Sequence, residues 1–285
     1  MYHIGMTQWI VGNEPLEVSC ARLKKYGYDG IEFAAEPYDL NAKECLELMN
    51  KYDLNCHSLC GIFNESRDLT SNGESGKTAV QYLKDSIDFA QEVGAKIIIV
   101  VPSPVGRTAK PAECTLEELT QNAVLNLREA AEYAQSKGVT IAIEAINRYE
   151  TYFINTLSKA IDLVKKINHP AVGIMADLFH MNIEEPSLED GLYMIRDYLV
   201  HVHIADNTRE AAGMGSTDFK EVMRVLRNIG YQGSLTMEFM YRLADPYSAT
   251  ELSTQTTLMD RYANQAIEYI RTIEESIKDF ECEGV

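Results

Sequence analysis

The chain has 285 residues, of which 46% are hydrophobic and 24% charged, an ordinary globular composition that leaves room for one large domain with a sizeable core. Its 43 acidic against 26 basic side chains give a formal charge of −17, which repels phosphate backbones and anionic lipids and argues against nucleic acid as the main partner. No uncharged apolar stretch of about 18 residues is present to cross a membrane, no secretory-type signal opens the chain, and the six cysteines, without a C-x-x-C pair, read as reduced thiols in a cytoplasmic protein.

The first apolar run, Ile4–Trp9, reads as a strand, and a helical pattern over Pro15–Tyr26 stops at Gly27. Gly30–Phe33 is the second strand, Ala42–Tyr52 the second helix and Asn55–Gly61 the third strand. Thr78–Val93 is helical until Gly94. Lys96–Val101 is β-branched on both faces, as a strand buried on both sides should be. Leu116–Ser136 is a long helix, Thr140–Ala145 a strand, Leu157–Ile167 a helix and Val172–Ala176 a strand. Leu188–Tyr198, Asp218–Ile229 and Tyr262–Lys278 are the last helices, with strands Val200–Ile204 and Ser234–Glu238 between them. Asn64–Lys77 and Met240–Thr256 lack strong periodicity and read as long loops, and Phe280–Val285 as a frayed tail.

Eight strands alternating with eight helices predict an α/β chain with a parallel sheet, because parallel neighbours need a crossover. Eight repeats, and no Gly-rich phosphate loop after the first strand, favour a closed (β/α)8 TIM barrel as a single domain over residues 1–285. In such a barrel the reacting groups stand at the C-terminal strand ends. The fifth strand ends at Glu144, the sixth at Asp177, the seventh carries His201 and His203, and the eighth ends at Glu238.

All four end residues share the inward parity, above Ala142, Met175 with Gly173, and Thr236 with Ser234. Three converging carboxylates would repel one another, and a divalent cation removes that conflict. A set rich in oxygen with one imidazole suits Mn²⁺, Co²⁺ or Mg²⁺ rather than structural Zn²⁺, with positions left for two substrate oxygens. His201 faces the same way but deeper and reads as structural. Met6, Trp9, Glu32, His57, Cys60 and Phe63 lie at or near the first three strand ends. Trp9, the one tryptophan, suits either sugar stacking or core packing. Cys60 is placed to line the pocket, without a neighbouring base to make it a nucleophile.

The segments Ile143–Glu150, Asp177–Glu185, His203–Arg209 and Gly230–Glu238 resemble the xylose-isomerase-like barrel superfamily and, within it, the D-tagatose and D-psicose 3-epimerases. The run Asp177-Leu178-Phe179-His180-Met181-Asn182-Ile183-Glu184-Glu185 is the most specific. The resemblance implies that Glu144, Asp177, His203 and Glu238 hold one divalent metal, Mn²⁺ first. It implies that Glu144 and Glu238 are the acid/base pair on opposite faces of the substrate carbon, inverting it through an enediolate. It maps substrate contacts to Glu150, His180 and Arg209, with His180 on a loop above the sixth strand, and it implies a homo-oligomer, dimer or tetramer. Two rim segments depart from the family, Glu210–Ser216 and Phe239–Tyr247, and both bear on substrate identity.

The first expectation is therefore C3 epimerisation or isomerisation of a free ketose. Its rival is another reaction on the same site: an inosose or keto-sugar isomerase or dehydratase, or a subunit that cleaves a C-glycoside once the sugar is oxidised, with a second subunit as partner. An endonuclease-IV-like repair enzyme shares the barrel and metals but conflicts with the charge of −17 and with only six histidines. A binding barrel without catalysis conflicts with the intact set of four.

Overall fold

A computed structural model of the protein describes residues 1–241 and 256–282. Residues 242–255 of the long loop expected over Met240–Thr256 and residues 283–285 of the tail lie outside them, while residues 280–282, expected to be frayed, end the last helix. Eight parallel strands close on themselves in sequence order, β1 (Ile4–Thr7), β2 (Gly30–Ala34), β3 (Ser58–Cys60), β4 (Ile97–Val100), β5 (Thr140–Glu144), β6 (Val172–Asp177), β7 (Leu199–Ile204) and β8 (Leu235–Met237), with β8 paired back to β1. Outside them run α1 (Leu16–Tyr26), α2 (Ala42–Tyr52), α3 (Glu74–Val93), α4 (Leu116–Lys137), α5 (Leu157–Ile167), α6 (Leu178–Glu184), α7 (Leu188–Ile195), α8 (Phe219–Asn228) and α9 (Thr256–Cys282). No helix among the described residues is long and apolar enough to cross a membrane.

Several helix ends follow from single residues. Gly27 and Gly138 take left-handed φ values of 79° and 68° and return their N–H groups to the last turns of α1 and α4. Thr115 and Glu118 close a reciprocal capping box at the start of α4. The one helix that the pattern did not foretell is α6. Its N-cap is Asp177, which also ends β6, so one residue serves as strand end and helix start. Seven residues are too few to show a helical period. Trp9, read as the end of the first strand, instead opens a 3-10 turn, Trp9–Val11. The third strand is shorter than expected, joined at Asn55 to Gly30 by an isolated bridge.

Two apolar layers make the core. The larger lies between sheet and helices and takes the outward strand residues, among them Ile98, Val100, Ile141 and Ile143. A smaller cluster of Ile99, Ala142 and Met175 fills the barrel interior, with Ile97 and Val200 against it. Val200 breaks strict alternation. Ile174 pairs with Leu199 but Met175 pairs with His201, so β7 carries an extra residue, a bulge that turns both Val200 and His201 inward. Above it the register resumes and Asp177 stands beside His203.

Gly173 makes the space for that bulge. A Cβ there would come within 2.6 Å of Val200 Cγ1 and 2.8 Å of the Tyr198 carbonyl oxygen. Strand propensity favours valine over glycine, yet Gly173→Val is expected to lower unfolding free energy by about 1–3 kcal/mol through overpacking. A urea midpoint equal to the parent's would show that the bulge does not need the glycine.

Candidate metal centre

Glu144, Asp177, His203 and Glu238 each offer one ligand atom, and these atoms all lie within 4.8 Å of one another. None of the four side chains' residues is more than 5% exposed. They come from four consecutive strands, β5 to β8, as the strand ends predicted. Each is held by different chemistry.

Asp177 is split between two duties. Its Oδ1 accepts from the backbone N–H groups of Phe179 (2.8 Å) and His180 (3.1 Å) at the start of α6. Its Oδ2 is buried and makes no hydrogen bond among the described residues. That oxygen lies 3.8 Å from His203 Nδ1, which is likewise buried without a hydrogen bond, and Nδ1 is 3.3 Å from Glu238 Oε2. The other ring nitrogen of His203, Nε2, lies 3.1 and 3.2 Å from the two oxygens of Glu32. Glu238 receives the Trp9 indole N–H on Oε1 at 2.9 Å and has Arg209 Nη2 at 3.8 Å from Oε2.

The charges in this cluster are unequal. Burial pushes the Glu144 carboxyl well above the carboxylate range, and Glu238 and Asp177 push it further. Burial also raises Asp177, with Glu238 adding to it. Burial acts upward on Glu238 too, but His203 and Arg209 outweigh it and keep that carboxyl below its ordinary value. For His203 burial opposes the charge, yet Glu32 and Glu238 hold its pKa well above the imidazole range. Without a cation these influences favour the protonated forms of Glu144 and His203. The test of fit is that two buried ligand atoms, Asp177 Oδ2 and His203 Nδ1, face the same space with no hydrogen bond among the described residues, beside a carboxyl that burial drives toward its neutral form. Three carboxylates and one imidazole match a hard to intermediate divalent ion.

The residues expected to touch substrate gather beside this cluster. A cavity of about 340 Å³ is lined by Glu144 and Glu238, by Trp9, Cys60, His180 and Arg209, and by an apolar wall that includes Phe63, Val101 and Ile146. His180 is not on a loop but in the first turn of α6, because Asp177 caps that turn. Its Nδ1 meets Asn147 Nδ2 at 2.8 Å and its Nε2 is 3.9 Å from Glu144. Burial keeps its imidazole below the usual range, favouring the neutral ring. Glu150 accepts from Asn147 Nδ2 at 2.8 Å and from Arg209 Nη1 at 3.2 Å. Arg209 lies over the Phe179 ring at 4.7 Å. Burial raises the Cys60 thiol well above its usual range, with Glu238 adding to the effect, so it lines the cavity as an inert group.

Three residues carry more than their sequence positions announced. Glu32 stands on the inward face of β2 and joins His201 to His203. Its inward parity beside apolar neighbours was the available signal, and the partners it would find on β7 were not. Asn147 links His180 to Glu150. Asp206 organises the rim segment that departs from the family: it accepts from the backbone N–H groups of Asn207, Gly213, Gly215 and Thr217. Gly215 is required there, since a Cβ would lie 2.3 Å from Asp206 Oδ1.

Comparison with known proteins places this geometry. The xylose isomerase-like TIM barrel family matches residues 20–271. The chain is 29% identical over 252 residues to an L-ribulose 3-epimerase of Methylomonas sp., spanning 86% of this chain and 87% of that one. It is 31% identical over 239 residues to a 3-dehydro-D-guloside 4-epimerase of Escherichia coli, spanning 80% and 88%. Among solved structures, the D-allulose 3-epimerase from Methylomonas sp. in complex with D-allulose superposes with a TM-score of 0.82 at 26% identity, over 95% of this chain and 96% of that one. The chain thus belongs to the xylose isomerase-like TIM-barrel family.

Proposed function

We propose that the chain is a metal-dependent ketose 3-epimerase acting on a free ketose, with Mn²⁺ as the first choice of ion and Co²⁺ or Mg²⁺ as alternatives. One observation carries the reading most: two buried carboxyls, Glu144 and Glu238, line one cavity, where burial pushes Glu144 toward its neutral form while His203 and Arg209 favour the ionised form of Glu238. A pair split in this way supplies an acid and a base at one pH. Glu144, Asp177, His203 and Glu238 hold the ion, which when bound supplies Lewis-acid stabilisation of the negative charge that develops on the substrate oxygens.

The side chains do the rest. Glu238, ionised and held by the Trp9 indole N–H, takes the proton from the carbon beside the carbonyl. Glu144 delivers a proton to the opposite face, which inverts that centre through an enediolate. The roles exchange in the reverse direction. His180, neutral and held by Asn147, and Arg209, held by Glu150, donate to sugar hydroxyls. Trp9 and the apolar wall exclude water from the reacting carbon. Free ketose is favoured over a phosphate ester because, among the described residues, the cavity lining holds one cation, Arg209, already engaged by Glu150 and Glu238. A cytoplasmic setting accords with five described cysteines that form no disulfide, and assembly as a dimer or tetramer belongs to the same reading.

A second reading is supported by the 31% identity to a 3-dehydro-D-guloside 4-epimerase. It is proton transfer beside the carbonyl of an oxidised glycoside. The same carboxyl pair serves both, and the two differ in what the apolar wall must accept.

Proton NMR of the Mn²⁺-loaded protein with a panel of free ketohexoses in D₂O is expected to show deuterium entering at C3 and the C3 epimer appearing. Glu238→Gln is expected to slow this by at least about a hundredfold, the scale of a lost general base. Exchange with 3-keto glycosides but with no free ketose would move the assignment to the second reading.

Loading the ion is expected to release the proton that the raised pKa of His203 favours in its absence. His203 is raised, so protons compete with the ion for it more strongly as pH falls, and Mn²⁺ affinity rises with pH. Titration calorimetry in buffers of different ionisation enthalpy is expected to show net release of at least one proton per ion. Binding without proton release, at constant affinity across pH, would contradict the charge distribution described above.

A further inference from the structure

Glu32 is buried at 1% exposure in the barrel interior, one layer below the four candidate ligands. Both of its oxygens face imidazole nitrogens of β7: His203 Nε2 at 3.1 and 3.2 Å, and His201 Nε2 at 3.1 Å. The Ser58 hydroxyl donates to the same carboxylate from β3. An ionised carboxylate only accepts, so each of these contacts places the hydrogen on its partner. For His203 that assignment has a consequence at the other ring nitrogen. With Nε2–H committed to Glu32, Nδ1, which faces Asp177 Oδ2 and Glu238 Oε2, is the nitrogen left to offer a lone pair to an ion once its own proton has gone.

The same three residues, Glu32, His201 and His203, also lie close enough together to be read as a second cation site. The hydrogen bonding favours the other reading. Each imidazole turns a nitrogen to Glu32 at ordinary N–H···O distance, and Ser58 completes the acceptor's set. His201 Nδ1 points elsewhere, without a hydrogen bond among the described residues.

We propose that Glu32 is the positioning residue of the metal centre: through its hydrogen bond to Nε2 it fixes the tautomer and ring orientation of His203, so that Nδ1 is the ligand atom. His201 and Ser58 hold the carboxylate in place for that task. This rests on the metal centre proposed above and adds a residue that touches neither ion nor substrate. A negatively charged partner behind an imidazole raises its basicity as a ligand, and loss of such a partner typically weakens metal binding by about 10- to 100-fold.

The experiment has three parts. Mn²⁺ binding to the full chain, followed by calorimetry and by the EPR signal of free Mn²⁺, gives stoichiometry and affinity for the parent and for Glu32→Gln. The variant keeps shape and an acceptor oxygen but loses the charge, and it is expected to bind about 10- to 100-fold more weakly. Nitrogen-15 NMR of the Zn²⁺-loaded parent, with His203 assigned from His203→Gln, is expected to show the proton on Nε2, which needs no folded variant of Glu32. A parent His203 protonated on Nδ1, or parent-like Mn²⁺ affinity in folded Glu32→Gln, would overturn the inference. Two ions per parent chain falling to one in Glu32→Gln would overturn it in favour of the second cation site. A parent that binds no Mn²⁺ at all would instead remove the metal centre on which the inference rests.

Discussion

The structure is organised by the cost of placing Glu144, Asp177 and Glu238 together inside a barrel, where like charges at a few ångströms repel and each has lost its water. Every neighbour of the cluster answers part of that cost. The start of α6 gives two backbone N–H groups to one oxygen of Asp177. The Trp9 indole gives one N–H to Glu238, and Arg209 brings a positive charge nearby. Among the described residues Glu144 has no such donor close at hand, His180 Nε2 being 3.9 Å away, and burial pushes its carboxyl well above the carboxylate range. What the protein groups leave unsatisfied is concentrated on Asp177 Oδ2 and His203 Nδ1, which face the same space. A divalent cation would answer both at once, and closure of the barrel supplies the rigidity that keeps the four donors from moving apart.

How far this was legible in the sequence depends on which features obey alternation. Inward parity at a strand end is a property of one strand, so Glu144, Asp177, His203 and Glu238 could be read one strand at a time and came together as expected. The bulge at Val200 is different. It depends on two strands and on the space beside Gly173, and no period in β7 announces it. The parity of His203 was nonetheless right, because alternation resumes above the bulge and only the residues beneath are displaced. The short helix α6 was hidden for another reason: its N-cap is the last residue of a strand, so the usual signal before a helix was already assigned to another duty. Glu32 shows the sharpest limit. Its inward direction was readable, but its meaning lies in His201 and His203, some 170 positions away along the chain.

The cavity has two unlike sides, and they answer different questions. One side holds the carboxyls, His180 and Arg209, which in the proposed reading would serve any substrate with a carbonyl flanked by a removable proton. The other side, with Phe63, Val101 and Ile146, offers shape and exclusion of water but few hydrogen bonds. An apolar wall discriminates between substrates by about 1–3 kcal/mol per methylene, whereas an unpaired buried polar group discriminates far more strongly. Membership of the family therefore says more about the step beside the carbonyl than about the far end of the sugar. This is why ketose and oxidised-glycoside readings divide on the rim and not on the cluster.

Arg209 shows how the rim and the cluster are tied. It is a non-glycine residue at φ 63°, a conformation that costs energy and persists only where its surroundings impose it. Its N–H donates to the Asp206 carbonyl and its carbonyl accepts from Met240 N–H, while Asp206 itself is wrapped by the amides of Gly213, Gly215 and Thr217. The next residue, Glu210, accepts from the Tyr262 hydroxyl of α9. The segment after β7 is thus pinned to β8 on one side and to the last helix on the other, and the guanidinium has little freedom left once its ring contact with Phe179 is made. Phe179 stands two residues after Asp177, in the turn that Asp177 caps. One short stretch of chain therefore orients a candidate metal ligand, a cavity-lining imidazole and the platform under the arginine, so a change anywhere in it is felt at all three.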